Sequence, residues 1–354
     1  MTYRPDVDSI IFDLDGTLWD ASESSALAWS NVCREIGINK SFSGSDIKAV
    51  SGLPFDKCVD LLFDGISEPN LKARLDRAEK DAIMERGGTF YEGLQDGIKR
   101  LAEGYKLFLV SNCQDWYLQA FLNHSGLREL FVDSLCHGTT QLPKRDNIRS
   151  IISRNKLRRS VYVGDTHWDQ EAAFYAGSKF IFTAYGFGKV TVSCPQVRSF
   201  TELVDSFTQD IPQIKFDFRK LNSNDFEAAQ AFYRSVGYHQ EILPENLFYG
   251  AFKENDLVGI VRLAFENGVW VLRGMQIDPA LQFFGLGTRL IKLLENDLSS
   301  DCYCLPHGWL DRFYGQIGFK TVTDMDTAPR FLYERLIENK KKYPQLILMK
   351  RSKP

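Results

Sequence analysis

The sequence lacks the features that mark membrane-spanning, exported and nucleic-acid-binding proteins. None of its 354 residues belong to an apolar run of about 18 or more, and the first residues do not resemble a signal peptide. The formal net charge of −3 at pH 7 gives no strongly basic surface for nucleic acid or membrane lipid. We therefore expect a cytoplasmic protein, divided into two domains because a single core rarely extends over this length.

The cysteines show no pattern that would indicate a metal site or a disulfide framework. There are seven, which is an odd number, and they are scattered without paired C-x-x-C units. A zinc site is therefore not expected. Reduced thiols are the simplest interpretation for a cytoplasmic protein.

The most informative stretch is the nonapeptide Ile10-Ile11-Phe12-Asp13-Leu14-Asp15-Gly16-Thr17-Leu18. The apolar run over 7–12 is rich in β-branched residues, which predicts a buried strand. Asp13 and Asp15 follow this strand, and ligands of a parallel sheet bind beyond the carboxyl ends of its strands. The alternative interpretation is that these acids form a turn or cap a helix.

A second predicted strand, 105–110, also ends in polar residues. Ser111 and Asn112 follow it directly. A hydroxyl and a neighbouring backbone N–H at a strand end are suited to binding a phosphoryl oxygen. The alternative is that Ser111 only caps the helix that follows.

A third group combines a lysine with two more acids. Lys144 stands at the start of a predicted helix, where the helix dipole disfavours a cation unless anions face it. The predicted strand 161–164 is followed by Asp165, and Asp169 comes four residues later. A strand at 180–182 is predicted to be the last of this half.

These strand-end residues, in this order, resemble the four motifs of the haloacid dehalogenase (HAD) phosphohydrolase superfamily. The resemblance covers about residues 1–208. The helical stretch at about 20–88 resembles the cap of phosphoglycolate-phosphatase-like members. An α/β fold is implied, with a Rossmann-like parallel sheet and a helical cap that closes over the site.

The resemblance also implies roles for individual residues. Asp13 would be the nucleophile that forms an aspartyl-phosphate, Asp15 the general acid and base, and Ser111 and Lys144 the remaining catalytic groups. The implied ligands of Mg²⁺ are Asp13, Asp15, Asp165 and Asp169. The implied substrate contacts are Thr17, Asn112, Gly52 and Leu53. The turn that contains Gly52 and Leu53 is equally well explained as a plain connection between helices.

The second half, about 213–354, has a different pattern. The sequence predicts a strand at 214–221, a helix at 224–236 capped by Asn222 or Ser223, strands at 247–252, 257–264 and 269–277, and a terminal strand at 345–349. A glycine-containing loop then opens an amphipathic helix, which favours binding of a pyrophosphate at the helix N-terminus.

This loop and the later segment Phe313-Tyr314-Gly315-Gln316-Ile317-Gly318-Phe319 resemble motifs A and B of the Gcn5-related N-acetyltransferases (GNAT). The resemblance implies an α/β domain with a mixed sheet that uses acetyl-coenzyme A (acetyl-CoA). The implied cofactor contacts are Ile277, Gln282, Phe283, Phe284, Gly285, Leu286, Gly287 and Thr288. Phe283 and Phe284 replace the basic residue frequent in that loop.

Tyr314 would protonate the leaving thiolate, although a purely structural core position is the alternative. The candidates for a general base are Glu241, Glu245 and His307, and nothing in their positions distinguishes them.

We interpret the chain as a fusion of a Mg²⁺-dependent phosphatase and an N-acyltransferase. Its expected partners are a small phosphorylated metabolite, a small amine acceptor and acetyl-CoA. One hypothesis is that both sites act on the same metabolite, such as an amino-sugar phosphate. The alternative is that the second domain is a coenzyme A-binding sensor or a docking module. The sequence leaves the oligomeric state open.

Overall fold

The computed structural model describes residues 7–190, 194–208 and 215–353, without the side chains of Phe283 and Phe284. These residues fall into two compact units, one within Arg4–Asp210 and the other within Ile211–Pro354. Both units are α/β, as the sequence predicts. Residues 209–212, between the two predicted domains, lie outside the described residues.

The first unit is built on a parallel sheet. The strands of this unit are β1 (Ser9–Phe12), β2 (Trp19–Asp20), β3 (Thr89–Phe90), β4 (Lys106–Ser111), β5 (Phe131–Cys136), β6 (Ser160–Gly164), β7 (Lys179–Thr183) and β8 (Gln196–Val197). The sheet order is β5-β4-β1-β6-β7-β8, so β1 lies between two parallel neighbours. All residues of β1 are buried, which explains why its sequence is a continuous apolar run.

The expectation that the sheet ends at 180–182 was wrong, because β8 adds one more parallel strand beside β7. This strand has only two residues and begins with an exposed glutamine. A strand of that length has no periodicity from which it can be predicted.

Helices cover this sheet and form an insert. The helices of the first unit are α1 (Ser22–Glu35), α2 (Gly44–Val50), α3 (Phe55–Leu62), α4 (Leu71–Arg86), α5 (Leu94–Ala102), α6 (Asp115–Ser125), α7 (His137–Thr140), α8 (Lys144–Arg154), α9 (His167–Ala176) and α10 (Phe200–Thr208). Helices α1 to α4 lie between β2 and β3, which pair with each other as a small antiparallel sheet. The insert has an apolar core of its own, which includes Trp29, Phe63 and Leu75.

The second unit is built on a mixed sheet. Its strands are β9 (Phe216–Lys220), β10 (Leu247–Lys253), β11 (Asp256–Glu266), β12 (Val269–Ile277), β13 (Cys302–Cys304), β14 (Lys320–Thr321) and β15 (Met349–Arg351). Its helices are α11 (Phe226–Ser235), α12 (Leu286–Glu295), α13 (Asp311–Gly315) and α14 (Arg330–Lys340). The sheet order is β14-β15-β13-β12-β11-β10-β9. Only β12 and β13 are parallel neighbours, and the other pairs are antiparallel.

Two details of the second unit refine the sequence-based expectations. Asn222 caps the 3₁₀ turn Ser223–Asp225, where its side chain accepts a hydrogen bond from the backbone N–H of Asn224. The helix α11 begins after this turn, and Asp225 at its N-cap makes no side-chain capping bond, so neither predicted residue caps α11 itself. The terminal strand is Met349–Arg351 rather than 345–349, because Leu346 forms only an isolated bridge with His307.

Across the parts of the chain that the structure describes, the helices are too short or too polar to cross a bilayer. All seven cysteines are free in the structure. The cytoplasmic location stays a prediction.

We expect the fragments 1–208 and 213–354 to fold separately, because each unit has its own apolar clusters. Each fragment should be soluble and should unfold cooperatively on heating, as followed by circular dichroism, with the full chain as the reference. Aggregation of both fragments under conditions where the full chain is soluble would instead indicate a shared core.

Candidate functional site

Three neighbouring strands bring the motif residues of the first unit to one edge of the sheet. Ser111 ends β4, Asp13 follows β1, and Asp165 follows β6. The backbone N–H of Asp13 donates to the carbonyl of Val163 at 2.9 Å, so the ends of β1 and β6 are in register. Carboxyl ends of adjacent parallel strands meet at the same edge, as the sequence-based argument requires.

Lys144, the first residue of α8, links two of the acids. Its Nζ lies 3.0 Å from Oδ1 of Asp13 and 2.6 Å from Oδ1 of Asp169. The other carboxylate oxygen of Asp169 accepts bonds from the backbone N–H and the hydroxyl of Thr166, at 3.0 and 2.7 Å. Both oxygens of Asp169 are therefore engaged by the protein, and one of them fixes the position of the Lys144 ammonium.

The buried acids carry more negative charge than Lys144 can offset. One carboxylate oxygen each from Asp13, Asp165 and Asp169 lies within 4.8 Å of the others. Burial raises the pKa of Asp13 to about 6, against the opposing effect of Lys144, and burial with the neighbouring acids raises the pKa of Asp165 well above its ordinary value. Burial alone would lower the pKa of Lys144, but Asp13 and Asp169 together raise it.

Asp165 is held tightly by the backbone around it. Its Oδ2 accepts a hydrogen bond from the backbone N–H of Phe187 at 2.7 Å. Gly16 has a φ of +71°, and a Cβ at that position would lie 2.1 Å from the same Oδ2. Glycine is therefore required after Asp15 both for its backbone conformation and for the close approach of Asp165.

Asp15 occupies a different environment from Asp13. Its carboxylate accepts a short hydrogen bond from the hydroxyl of Tyr117, on α6. Burial raises the pKa of Asp15 to about 7, although the bond from Tyr117 opposes the rise. The carboxylate of Asp15 is not part of the cluster formed by Asp13, Asp165 and Asp169. The structure thus does not bring the Asp15 side chain to the predicted metal position.

A cavity lies between the sheet edge and the helical insert. Its described lining residues are Asp13, Asp15, Ser22, Ser25, Trp29, Ile47, Val50, Ser51, Gly52, Leu53, Phe55, Cys58, Glu79, Ser111, Asn112, Cys113, Gln114, Tyr117 and Phe187. The side-chain amide of Asn112 donates to the carbonyl of Gly52 at 2.8 Å, which joins the sheet edge to the insert.

Of the predicted substrate contacts, Asn112, Gly52 and Leu53 line this cavity, whereas Thr17 does not. Thr17 is completely buried, and its hydroxyl has no hydrogen-bond partner among the described residues.

Tyr117 and Glu79 are among the cavity residues that the sequence-based reasoning missed. Tyr117 is separated from Asp15 by about a hundred residues, and nothing in its local sequence points to the contact. Glu79 had a visible signal, because it occupies the buried stripe of α4 otherwise formed by Leu71, Leu75 and Ile83.

In the second unit, β12 separates from β13 partway along its length. The two strands pair only at Trp270 with Cys302 and at Val271 with Tyr303. On its other side, β12 stays paired with β11 as far as Ile277. This pairing contains a bulge, at which β12 has one extra residue and Gly274 has a φ of +58°. Ile277 therefore lies on a half-buried stretch of strand that is paired on one side only.

The predicted cofactor loop lies directly after this stretch. Gln282 is half-buried in a 3₁₀ helix, Pro279–Phe284, and Gly285 has a φ of +73° at the point where α12 begins. The N-cap residue of α12 is Gly285, and no side chain among the described residues caps the helix there. Gly287 and Thr288 are half-buried, and Leu286 is fully buried. The predicted contacts from the side chains of Phe283 and Phe284 lie outside the described residues.

Tyr314 lies in the apolar cluster beneath α12. It is 5% exposed and packs edge-on against Phe313 and Phe319. Burial raises its pKa, so the hydroxyl stays protonated. This environment is compatible with both predicted roles, the acid and the core aromatic.

The three candidate bases differ in their surroundings. Glu241 and Glu245 are exposed. His307 stacks on Trp309 with ring centroids 4.3 Å apart, and burial lowers its pKa.

Comparison with known proteins identifies both units. Residues 10–183 match the haloacid dehalogenase-like hydrolase family, and residues 220–328 match the acetyltransferase (GNAT) domain family. The chain joins a HAD-like hydrolase to a GNAT acetyltransferase domain. The predicted family of each half is thereby confirmed, and the chain is an enzyme of the HAD phosphatase type with an added acetyltransferase domain.

The relatives found match the HAD domain. A phosphoglycolate phosphatase from Aquifex aeolicus is 26% identical over 191 residues, which cover 52% of this chain and 89% of the relative. One from Rhodobacter capsulatus is 27% identical, with 51% and 86% covered. A solved structure, described as a predicted phosphoglycolate phosphatase from Haemophilus somnus, has a TM-score of 0.48 and 20% identity, and covers 56% of this chain and 97% of its own.

The acidic cluster of the HAD domain fits a divalent cation. HAD phosphatases use Mg²⁺, which prefers oxygen ligands. Oδ1 of Asp13 is buried without an aligned hydrogen-bond donor among the described residues, and the Nζ of Lys144 lies 3.0 Å from it. Three carboxylates facing one ammonium leave two negative charges, which one Mg²⁺ would balance. Asp13, Asp165 and Asp169 are the residues that would hold it, and of these Asp169 also bonds Lys144 and Thr166.

We expect Gly16→Ala to weaken Mg²⁺ binding at least tenfold, because the added Cβ would displace the carboxylate of Asp165. The matched control is Gly126→Ala. Gly126 also has a positive φ, at +68°, but no atom lies within 4 Å of an added Cβ. Both variants therefore share a backbone cost of about 1–3 kcal/mol, but only Gly16→Ala displaces a metal ligand. Calorimetric titration with Mg²⁺ measures the difference. Equal Mg²⁺ affinity in the two variants would contradict the assignment of Asp165 to the metal.

Proposed function

We propose that the HAD domain hydrolyses phosphomonoesters of small metabolites through a phosphorylated Asp13. The observation that carries this proposal is the division of environments between Asp13 and Asp15. Asp13 faces Lys144 and the acidic cluster, whereas Asp15 is bonded to Tyr117 and has a pKa of about 7. Two acids whose surroundings differ in this way are suited to nucleophile and proton-donor roles.

In the proposed reaction, a carboxylate oxygen of Asp13 attacks phosphorus while the bond to the leaving alkoxide breaks. Asp15 gives its proton to that alkoxide. Water then attacks the phosphorus, Asp15 takes a proton from it, and the bond between phosphorus and Asp13 breaks to release phosphate. Mg²⁺, when bound, would offset the negative charge that Asp13 and the phosphate would otherwise share. Lys144, held by Asp169, keeps Asp13 charged and oriented.

The Ser111 hydroxyl and the neighbouring backbone N–H are the proposed donors to a phosphoryl oxygen. Ser111 is 4% exposed, and it lines the same cavity as Asp13 and Asp15. The insert formed by α1 to α4 supplies the opposite wall through residues such as Trp29 and Leu53. Closure of the insert over this site would exclude water that competes with the substrate.

We expect Asp13→Asn to lower phosphatase turnover at least about a thousandfold, because an amide is a poor nucleophile. Release of inorganic phosphate from p-nitrophenyl phosphate with Mg²⁺ is the measurement. Asp96→Asn is the control, since Asp96 is exposed on α5. Turnover by Asp13→Asn near the wild-type rate would overturn the proposed nucleophile.

We further propose that the GNAT domain transfers an acetyl group from acetyl-CoA to a small amine. Two features support this proposal. The open edge of β12 from Arg273 to Ile277 offers backbone groups to an extended ligand, as in strand-addition complexes. The uncapped N-terminus of α12 offers backbone N–H groups, at the favourable end of the helix dipole, to a pyrophosphate. Tyr314 is the proposed donor of a proton to the departing thiolate.

We expect Gly285→Glu to weaken binding of coenzyme A at least several-fold, because it places a carboxylate at the N-terminus of α12. Gly268→Glu is the matched control. Gly285 and Gly268 both have a positive φ, at +73° and +85°, and neither has an atom within 4 Å of an added Cβ. They differ in position, because Gly268 lies in the turn between β11 and β12 rather than at the start of α12. Calorimetry with coenzyme A compares the two variants, and equal losses would argue against a pyrophosphate site at Gly285.

A thiol-release assay with a panel of amines separates transfer from binding. Release of thiol by the wild-type protein supports the transferase. Binding of coenzyme A without thiol release from any amine would instead favour the alternative, in which the GNAT domain is a sensor or docking module.

A further inference from the structure

The helical insert places a buried carboxylate in the cavity that the proposed reaction does not use. Glu79 is 7% exposed, and it shares the buried face of α4 with apolar residues. Burying an acid on such a face destabilises the fold unless the carboxylate is bonded, so the position calls for an explanation.

The partners of Glu79 hold the carboxylate in place but leave its charge unbalanced. Oε1 accepts a bond from the hydroxyl of Ser25 at 2.6 Å, and Oε2 accepts one from the indole N–H of Trp29 at 3.2 Å. A carboxylate can accept about four hydrogen bonds, so about half of its capacity remains. No described lysine, arginine or histidine forms an ion pair with Glu79, and burial raises its pKa to about 7.

The whole cavity has the same charge imbalance. Its described lining includes three acids, Asp13, Asp15 and Glu79, and no lysine, arginine or histidine. Asp13 has Lys144 beside it and the proposed Mg²⁺ position, which together serve the phosphate end of a substrate. Glu79 comes from helix α4 of the insert and has neither, although its charge contributes to the raised pKa of Asp15. A second carboxylate or phosphate on the substrate would be repelled there.

We propose that the HAD domain acts on a phosphomonoester that carries a protonated amine, and that Glu79 binds this ammonium group. The proposal rests on the proposed phosphatase activity and names its substrate class. An ammonium group supplies both the missing positive charge and the donors for the free positions of the carboxylate. Glu79 is a specificity-determining residue in this proposal and takes no part in the chemical step.

This substrate class also relates the two domains of the chain. An amine is the group that a GNAT domain would acetylate. Acetylation of the amine removes its charge, so the acetylated product should bind beside Glu79 less well than the free amine. The dephosphorylation step would then precede acetylation on a common metabolite.

Matched substrates that differ only in the amine test the proposal. Suitable pairs are 2-aminoethyl phosphate with 2-hydroxyethyl phosphate, and glucosamine 6-phosphate with glucose 6-phosphate. We expect the wild-type full chain to show a kcat/KM at least about tenfold higher for the amine in one pair or both, as a charged hydrogen bond would give. Glu79→Gln should abolish this preference by slowing only the amine member.

Two control variants distinguish charge recognition from a structural role. Ser25→Ala removes one bond to Glu79 but keeps its charge, so the preference for the amine should remain. Glu85→Gln changes an exposed acid on the same helix and should have no effect. Thermal unfolding of each variant, followed by circular dichroism, shows whether the fold is retained.

Each outcome has a definite meaning. No preference for the amine in wild type, in either pair, overturns the proposal whether or not Glu79→Gln folds. Equal slowing of both members of a pair by Glu79→Gln assigns Glu79 a structural role and overturns it too. Failure of the wild type to hydrolyse any phosphomonoester, including p-nitrophenyl phosphate, contradicts the phosphatase itself.

Discussion

The buried surplus of negative charge beside β1 is the constraint on which the HAD domain depends. Asp13, Asp165 and Asp169 converge there, and Lys144 is the only cation that pairs with them among the described residues. Burial raises the pKa values of Asp13 and Asp165, and repulsion between the neighbouring carboxylates adds to the rise. The arrangement persists because the backbone fixes it, through the sheet register and the close approach of Gly16 to Asp165.

The two acids that follow β1 show how environment separates chemical roles. They are one residue apart in sequence and similar in chemistry, yet only Asp13 faces Lys144. Asp15 is bonded to Tyr117, and its pKa of about 7 lies near the range where a group can both give and take a proton. The chain turns at Gly16, immediately after Asp15, where φ is positive.

The charge of the cavity wall and the exposed backbone groups of the GNAT domain bear on which substrates the two sites bind. The cavity wall formed by α1 and α4 contains an acid without a cation, so its charge selects a positively charged group over a negatively charged one. In the GNAT domain, the departure of β12 from β13 and the uncapped start of α12 expose backbone groups rather than charged side chains. Backbone donors are compatible with a loop in which phenylalanines stand where related proteins often have a basic residue.

The sequence by itself determined the architecture and the residues at the strand ends. Asp13, Ser111 and Asp165 were predictable because each follows an apolar run that is buried on both faces, and parallel strands bring such ends together. The loop before α12 was predictable for a similar local reason, a glycine-containing turn between a strand and an amphipathic helix. Short or irregular elements, such as β8 and the terminal strand β15, lack the periodicity that prediction requires.

Only the tertiary structure decided which polar groups meet across the cavity. The hydrogen bond from Tyr117 to Asp15 joins α6 to the turn after β1, about a hundred residues earlier in the chain. No local sequence pattern predicts this contact. The apolar spacing of α4 shows that Glu79 faces inward, but not that it faces a cavity without a cation. The periodicity of a sequence indicates which face of a helix or strand is buried. The partner of a buried polar group depends instead on how separate elements pack, which only the tertiary structure shows.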